Sequence, residues 1–106
     1  MPKFLVQGNY TSEGAKGLQK DGGTKRRQVA EALVKEAGGT LEAFYFTLGE
    51  KDFALIANLP DISSLVSVSL TVNATGLINL KSTQLVTPEE MDVAAKKKLA
   101  YRPPGH

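Results

Sequence analysis

Leu41 to Leu59, LEAFYFTLGEKDFALIANL, is the most apolar and most aromatic part of the chain. It reads as two strands joined around Gly49-Glu50-Lys51, and the parity of that joint decides the fold. An odd loop puts Phe44 and Phe46 on one face with Asp52, Ala54 and Asn58. An even loop puts them with Phe53, Leu55 and Ala57. Only the even loop separates an apolar face (Phe44, Phe46, Leu48, Phe53, Leu55, Leu59) from a mixed one (Ala43, Tyr45, Thr47, Ala54, Ile56, Asn58). A slip of one residue would carry a whole set of side chains across the sheet, so the even pairing is expected.

Upstream, Lys3 to Tyr10 alternates as a strand, with Phe4, Val6 and Gly8 in one phase and Leu5, Gln7 and Asn9 in the other. Thr11 is a natural N-cap, and Glu13 suits the positive end of the helix that follows. Gly14 and Gly17 weaken that helix, and Asp21-Gly22-Gly23 interrupts it. Thr24 is placed to cap a second helix. Its inward face is Val29, Ala30, Leu33, Val34 and Ala37, with Lys25, Arg26, Arg27 and Glu31 off that face. Gly38-Gly39 ends it.

Downstream, Pro60 stops the strand and Asp61 can cap a helix. The segment from Ile62 to Asn73, ISSLVSVSLTVN, alternates like a strand. The Asp61 start, the Gly76 stop and the need for a second crossover decide for a helix. Leu77 to Val86 is a fourth strand, with Ile78, Leu80 and Val86 in one phase and Asn79, Lys81 and Thr83 in the other. Thr87-Pro88-Glu89-Glu90 carries an N-cap, a proline at the first helical position and a capping-box glutamate. Lys96, Lys97 and Lys98 are expected in the last turn of that helix. Residues 1–100 form one domain and residues 101–106 an extended tail.

Composition bounds the function. The 106 residues carry 13 basic and 11 acidic side chains, a formal charge of +2, too small for a nucleic-acid stripe. With no cysteine, thiolate catalysis, disulfides and Cys metal sites are excluded; the single His106 argues against a His-rich metal site or a Ser-His pair, and no cofactor is implied. No stretch of about 20 apolar residues offers a membrane span, and MPKFLVQGNY lacks the layout of a signal peptide. The expected setting is the cytoplasm.

The order strand, helix, strand, strand, helix, strand, helix is the ferredoxin-like βαββαβ arrangement of an α+β protein with an added C-terminal helix. Right-handed crossovers put the helices on one face of a four-stranded antiparallel sheet. The other face, with Leu5, Ala43, Tyr45, Ala54 and Ile56, is left open. A patch of that kind marks an interface, and a homodimer closing two such faces is expected. Gln7, Thr47, Asn58 and Lys81 on the same face predict a lined cavity between the sheets for a small molecule.

MPKFLVQGNYTSEGAKGL (residues 1–18), LEAFYFTLGEKDF (41–53), the TPEE turn (87–90) and YRPPG (101–105) together resemble the GYD-domain proteins. These are small bacterial proteins of the dimeric α+β barrel superfamily with no assigned function. The resemblance covers nearly the whole chain. The family signature is a glycine followed by Tyr-Asp at the hairpin. Gly49 and Asp52 match it, but Lys51 stands at the tyrosine position, so no role of that tyrosine transfers here. Monooxygenases, isomerases and amino-acid-sensing regulator domains share the fold, which does not carry their activities over.

The candidate ligand-binding residues are therefore Gln7, Tyr45, Thr47, Asp52, Asn58 and Lys81. Tyr45 could bond a ligand or act as a weak acid, although packing across a dimer is the commoner use of such a tyrosine. Asp52 could be a base, although an aspartate beside a turn more often accepts backbone N–H bonds. Lys81 could meet an anion or merely guard a sheet edge. Gln7 and Asn58 can line a pocket but cannot shuttle protons. The basic runs at residues 25–27 and 96–98 read as solvated helix faces. Two functions follow: a non-catalytic ligand-binding or sensory dimer, or a cofactor-free enzyme using Tyr45, Asp52 or Lys81.

Overall fold

Strand β1 (Lys3–Tyr10) is central in the computed structural model, which describes residues 1–106. It is followed by α1 (Ser12–Asp21), α2 (Gly23–Glu36), β2 (Thr40–Phe46), β3 (Phe53–Asn58), α3 (Ile62–Asn73), β4 (Ile78–Leu85) and α4 (Pro88–Ala95). The sheet order is β2-β3-β1-β4, every neighbour antiparallel, which is the ferredoxin-like topology expected from the order of elements.

The hairpin has the even parity. Phe44 pairs with Leu55, Phe46 with Phe53 and Tyr45 with Ala54, and Thr47 N–H donates to the Asp52 carbonyl (2.8 Å) to close a loop at residues 48–51. Leu48 falls in that loop and is fully exposed, not on the apolar face, because the strand pairing ends before it. A bulge at Glu42 lets Leu41 and Ala43 oppose the consecutive residues Ala57 and Ile56. Phe53, Leu55 and Ala57 are buried while Ala54, Ile56 and Asn58 are half-buried. The core is Phe4, Val6, Val34, Leu55, Ala57 and Leu59.

Local chemistry explains the helices. Thr11 accepts from Gly14 N–H (3.3 Å) and its hydroxyl donates to the Leu77 carbonyl (3.2 Å), tying α1 to the start of β4. Gly14 is required by that closeness: a Cβ there would stand 2.1 Å from the Leu77 carbonyl oxygen. Thr24 does not cap α2. Gly22, at φ +82°, turns the chain directly from α1 into a helix that begins at Gly23, so Thr24 is already helical. Asp61 Oδ1 accepts from Ser64 N–H (2.8 Å), and α3 forms despite its alternating sequence. Its inward residues are Leu65, Val68 and Val72, at helical spacing.

Thr87 and Glu90 make both bonds of the capping box (3.1 and 2.9 Å). The helix ends at Ala95, so Lys96 caps it and Lys97 and Lys98 lie beyond rather than in its last turn. Residues 88–106 are all exposed. The radius of gyration is 17.1 Å, against about 13 Å for a compact chain of this length, because this C-terminal arm stands away from the body. No helix is long and apolar enough to cross a membrane.

Candidate functional site

The six residues singled out from the sequence fall into three separate places. Tyr45, Ala54, Gln7 and Lys81 form one row across all four strands on the face without helices, in that order. Gln7 and Lys81 are direct neighbours, and Tyr45 is two strands away from Gln7 at the other edge. Thr47 and Asp52 sit at the hairpin end of the sheet. The Thr47 hydroxyl donates to the Lys51 carbonyl, and Asp52 Oδ2 accepts from Tyr10 N–H (2.8 Å). Asp52 thus holds the end of β1 against the hairpin. Asn58 lies at the opposite end, where its amide donates to Thr40 Oγ1 (3.3 Å) and Glu42 Oε1 (3.5 Å) beside the Lys3–Glu42 ion pair.

The main cavity of the protomer lies on the other side of the sheet, between it and the helices. It measures about 380 Å³ and is lined by 24 residues, 18 of them hydrophobic, and none of the six is among them. The topology creates it. Helix α2 is seated on β2 and α3 on β4, so a groove runs between the two helices above the central strands. Val6, Phe53, Leu55 and Ala57 form its floor, Val29, Ala30, Leu33 and Val34 one wall, and Leu65, Val68 and Val72 the other. Helix α1 bounds it through Gly14, Gly17, Leu18 and Asp21. A second concavity of about 270 Å³ lies at the β2 edge and reaches Tyr45.

The rings of Tyr10, Phe53 and Phe44 line one part of the cavity, with Phe46 packed outside it. Tyr10 meets Phe53 edge-on (centroids 5.5 Å apart, 72°), Phe53 meets Phe44 (5.6 Å), and Phe44 meets Phe46 (5.2 Å, 68°). Polar lining is sparse: Tyr10, Asp21, Arg26, Thr71 and Thr75. The two threonines commit their protons to helix α3, donating to the Ser67 and Val72 carbonyls (2.7 Å each). Burial pushes the Tyr10 phenol above its ordinary pKa. The Arg26 guanidinium opposes that rise and the Asp52 carboxylate adds to it. Tyr10 is therefore a neutral hydroxyl donor at physiological pH.

Arg26 lines the cavity, although the apolar pattern of α2 places it off the inward face. It precedes Ala30, Leu33 and Ala37 by one, two and three turns and so shares their face. It is half-buried at the cavity, whereas Lys25 and Arg27 are exposed. Tyr10 could have been found by the same parity that placed Phe4 and Val6, because residues 4, 6, 8 and 10 point one way.

No curated protein matches the chain. Among solved structures, the crystal structure of MtbAldR aligns at TM-score 0.55 and 19% identity, over 81% of this chain and 52% of that one. The chain thus spans about half the length of MtbAldR, and the likeness is one of fold. A protein of unknown function from Nitrosomonas europaea aligns over 95% of this chain and 96% of its own, at 16% identity and TM-score 0.43. The GYD domain matches residues 4–95, with the hairpin and both flanks of the cavity inside the match, and the chain belongs to the GYD domain family.

Proposed function

We propose that this protein is a homodimeric small-molecule-binding or sensory module whose ligand sits in the cavity between helices and sheet. The observation that carries the reading is the cavity itself. At about 380 Å³, apolar on most sides and with a few polar groups, it has the size and character of a ligand site. Dimerisation through the opposite face is supported by Leu5 and Ile56, half-buried, and Tyr45, 71% exposed, on one uncovered surface. This reading moves the ligand from between the sheets to the helix side.

A cofactor-free enzyme working with Tyr45, Asp52 or Lys81 is the alternative. Within one protomer these three share no pocket: Tyr45 and Lys81 stand on opposite edge strands and Asp52 is engaged by a backbone N–H. Thermal-shift measurements against a panel of small aromatic and anionic metabolites test the binding reading. At least one is expected to raise the melting temperature of the wild type. The shift is expected to vanish in Ala30→Trp, which fills the groove from the α2 wall. A panel that stabilises neither protein contradicts the reading.

A further inference from the structure

The polar groups of the cavity are unevenly committed, and that imbalance points to the chemistry of the ligand. Asp21 has a partner on the next turn of helix, with its Oδ1 4.0 Å from Lys25 Nζ. Asp52, beside Tyr10, accepts the Tyr10 N–H. The Thr71 and Thr75 hydroxyls donate into α3. What remains is Arg26, which has no carboxylate within ion-pair distance, and the Tyr10 hydroxyl, which has no hydrogen-bond acceptor. The guanidinium, which bonds the Tyr10 oxygen but meets no carboxylate, and the Tyr10 O–H border a space that is apolar apart from the paired Asp21, Thr71 and Thr75.

A guanidinium beside a neutral phenol complements a planar anion with two oxygens. The guanidinium donates through a fixed fork, and the phenol can add a third bond. A neutral ligand would leave the guanidinium unmatched. A polyanion would bring more charge than one arginine can meet into a site with no second free cation. The volume admits one small body of one or two rings or a medium-length chain. Resting on the reading that this cavity binds a small molecule, we infer that its ligand is an apolar monocarboxylate. Its carboxylate is bound by Arg26 and the Tyr10 hydroxyl, and its hydrocarbon body lies between Leu55 and Val68.

The test compares 2-naphthoate with 2-naphthamide, which share a ring system and differ in charge, by titration calorimetry on the full chain. Wild type is expected to bind the acid at least tenfold more tightly than the amide. Arg26→Gln is expected to weaken the acid about tenfold and the amide less than twofold, erasing the preference. Arg26→Lys restores part of it, and Tyr10→Phe, which keeps the ring against Phe53, weakens the acid a few-fold. Arg26 has no ion-pair partner to lose, and its side-chain hydrogen bond to Tyr10 is one that Lys or Gln can also make, so its variants are expected to melt close to wild type. Equal binding of acid and amide, or a preference that survives Arg26→Gln, overturns the inference and leaves the cavity as a site for neutral ligands. Binding of neither compound overturns both the inference and the reading beneath it.

Discussion

Asp52 shows how one side chain can be conspicuous in sequence yet structural in use. Its carboxylate accepts the Tyr10 N–H at 2.8 Å while its own N–H donates to the Gly8 carbonyl at 2.9 Å, so it joins β1 to the hairpin twice. Asp52→Ala leaves the partly buried Tyr10 N–H without its acceptor. It is expected to cost about 1–3 kcal/mol, read from urea denaturation, with Asp52→Asn milder because it keeps a carbonyl oxygen. A neutral outcome for Asp52→Ala would mean that water replaces the carboxylate. Arg26 is the opposite case. In the run Lys25-Arg26-Arg27 it reads as one more solvated cation, and only the register of α2 against the sheet distinguishes it from its neighbours. Charge type alone could not reveal which of three basic residues turns inward.

At the scale of elements, α3 is the most instructive. Val66, Val68, Leu70 and Val72 alternate with polar residues as in a strand, and β-branched valines favour one. The Asp61 cap and the crossover that the sheet order demands prevail. The cap is also a source of pH dependence. The backbone N–H and hydroxyl of Ser64, with the Ser63 hydroxyl, hold the Asp61 carboxyl below its usual range. Because the folded value is depressed, its contribution to stability is present above the unfolded value, about 3.9, and is lost as pH falls through the folded value. Asp61→Ala is therefore expected to melt below wild type at pH 7, with the gap closing as the pH drops below about 4. Thermal melts at several pH values check this, and a gap that stays constant or widens in acid contradicts it. Most helix boundaries were legible from caps and glycines, but the start of α2 before Thr24 and the end of α4 before the lysines were not. The gap between α2 and α3 was not, because it depends on how far apart two helices are set, which no local pattern encodes.

For the whole molecule, hairpin parity sorted the sheet into its two faces correctly, since pairing and burial alternate as the apolar pattern requires. Which face holds the cavity could not be read this way. An apolar helix-side face predicts a filled core, and here only 12 residues are buried, leaving a groove where a larger core would be. The open face carries the dimer prediction. Sedimentation equilibrium at micromolar concentration is expected to show a dimer, and Ile56→Glu, a charge at the centre of that face, a monomer. A monomeric wild type would assign the open face some other partner.

Adjacent residues distinguish a ligand on the helix side of the sheet, as proposed, from one on the open face. Val6 and Leu55 line the cavity, whereas their neighbours Leu5 and Ile56 point to the open face. Intermolecular NOEs from bound 2-naphthoate to assigned methyl groups read this directly. NOEs to Val6, Leu55 and Val68 and none to Leu5 or Ile56 are expected. NOEs to Leu5 and Ile56 with none to Val6 and Leu55 would place the ligand between the sheets and contradict the helix-side site.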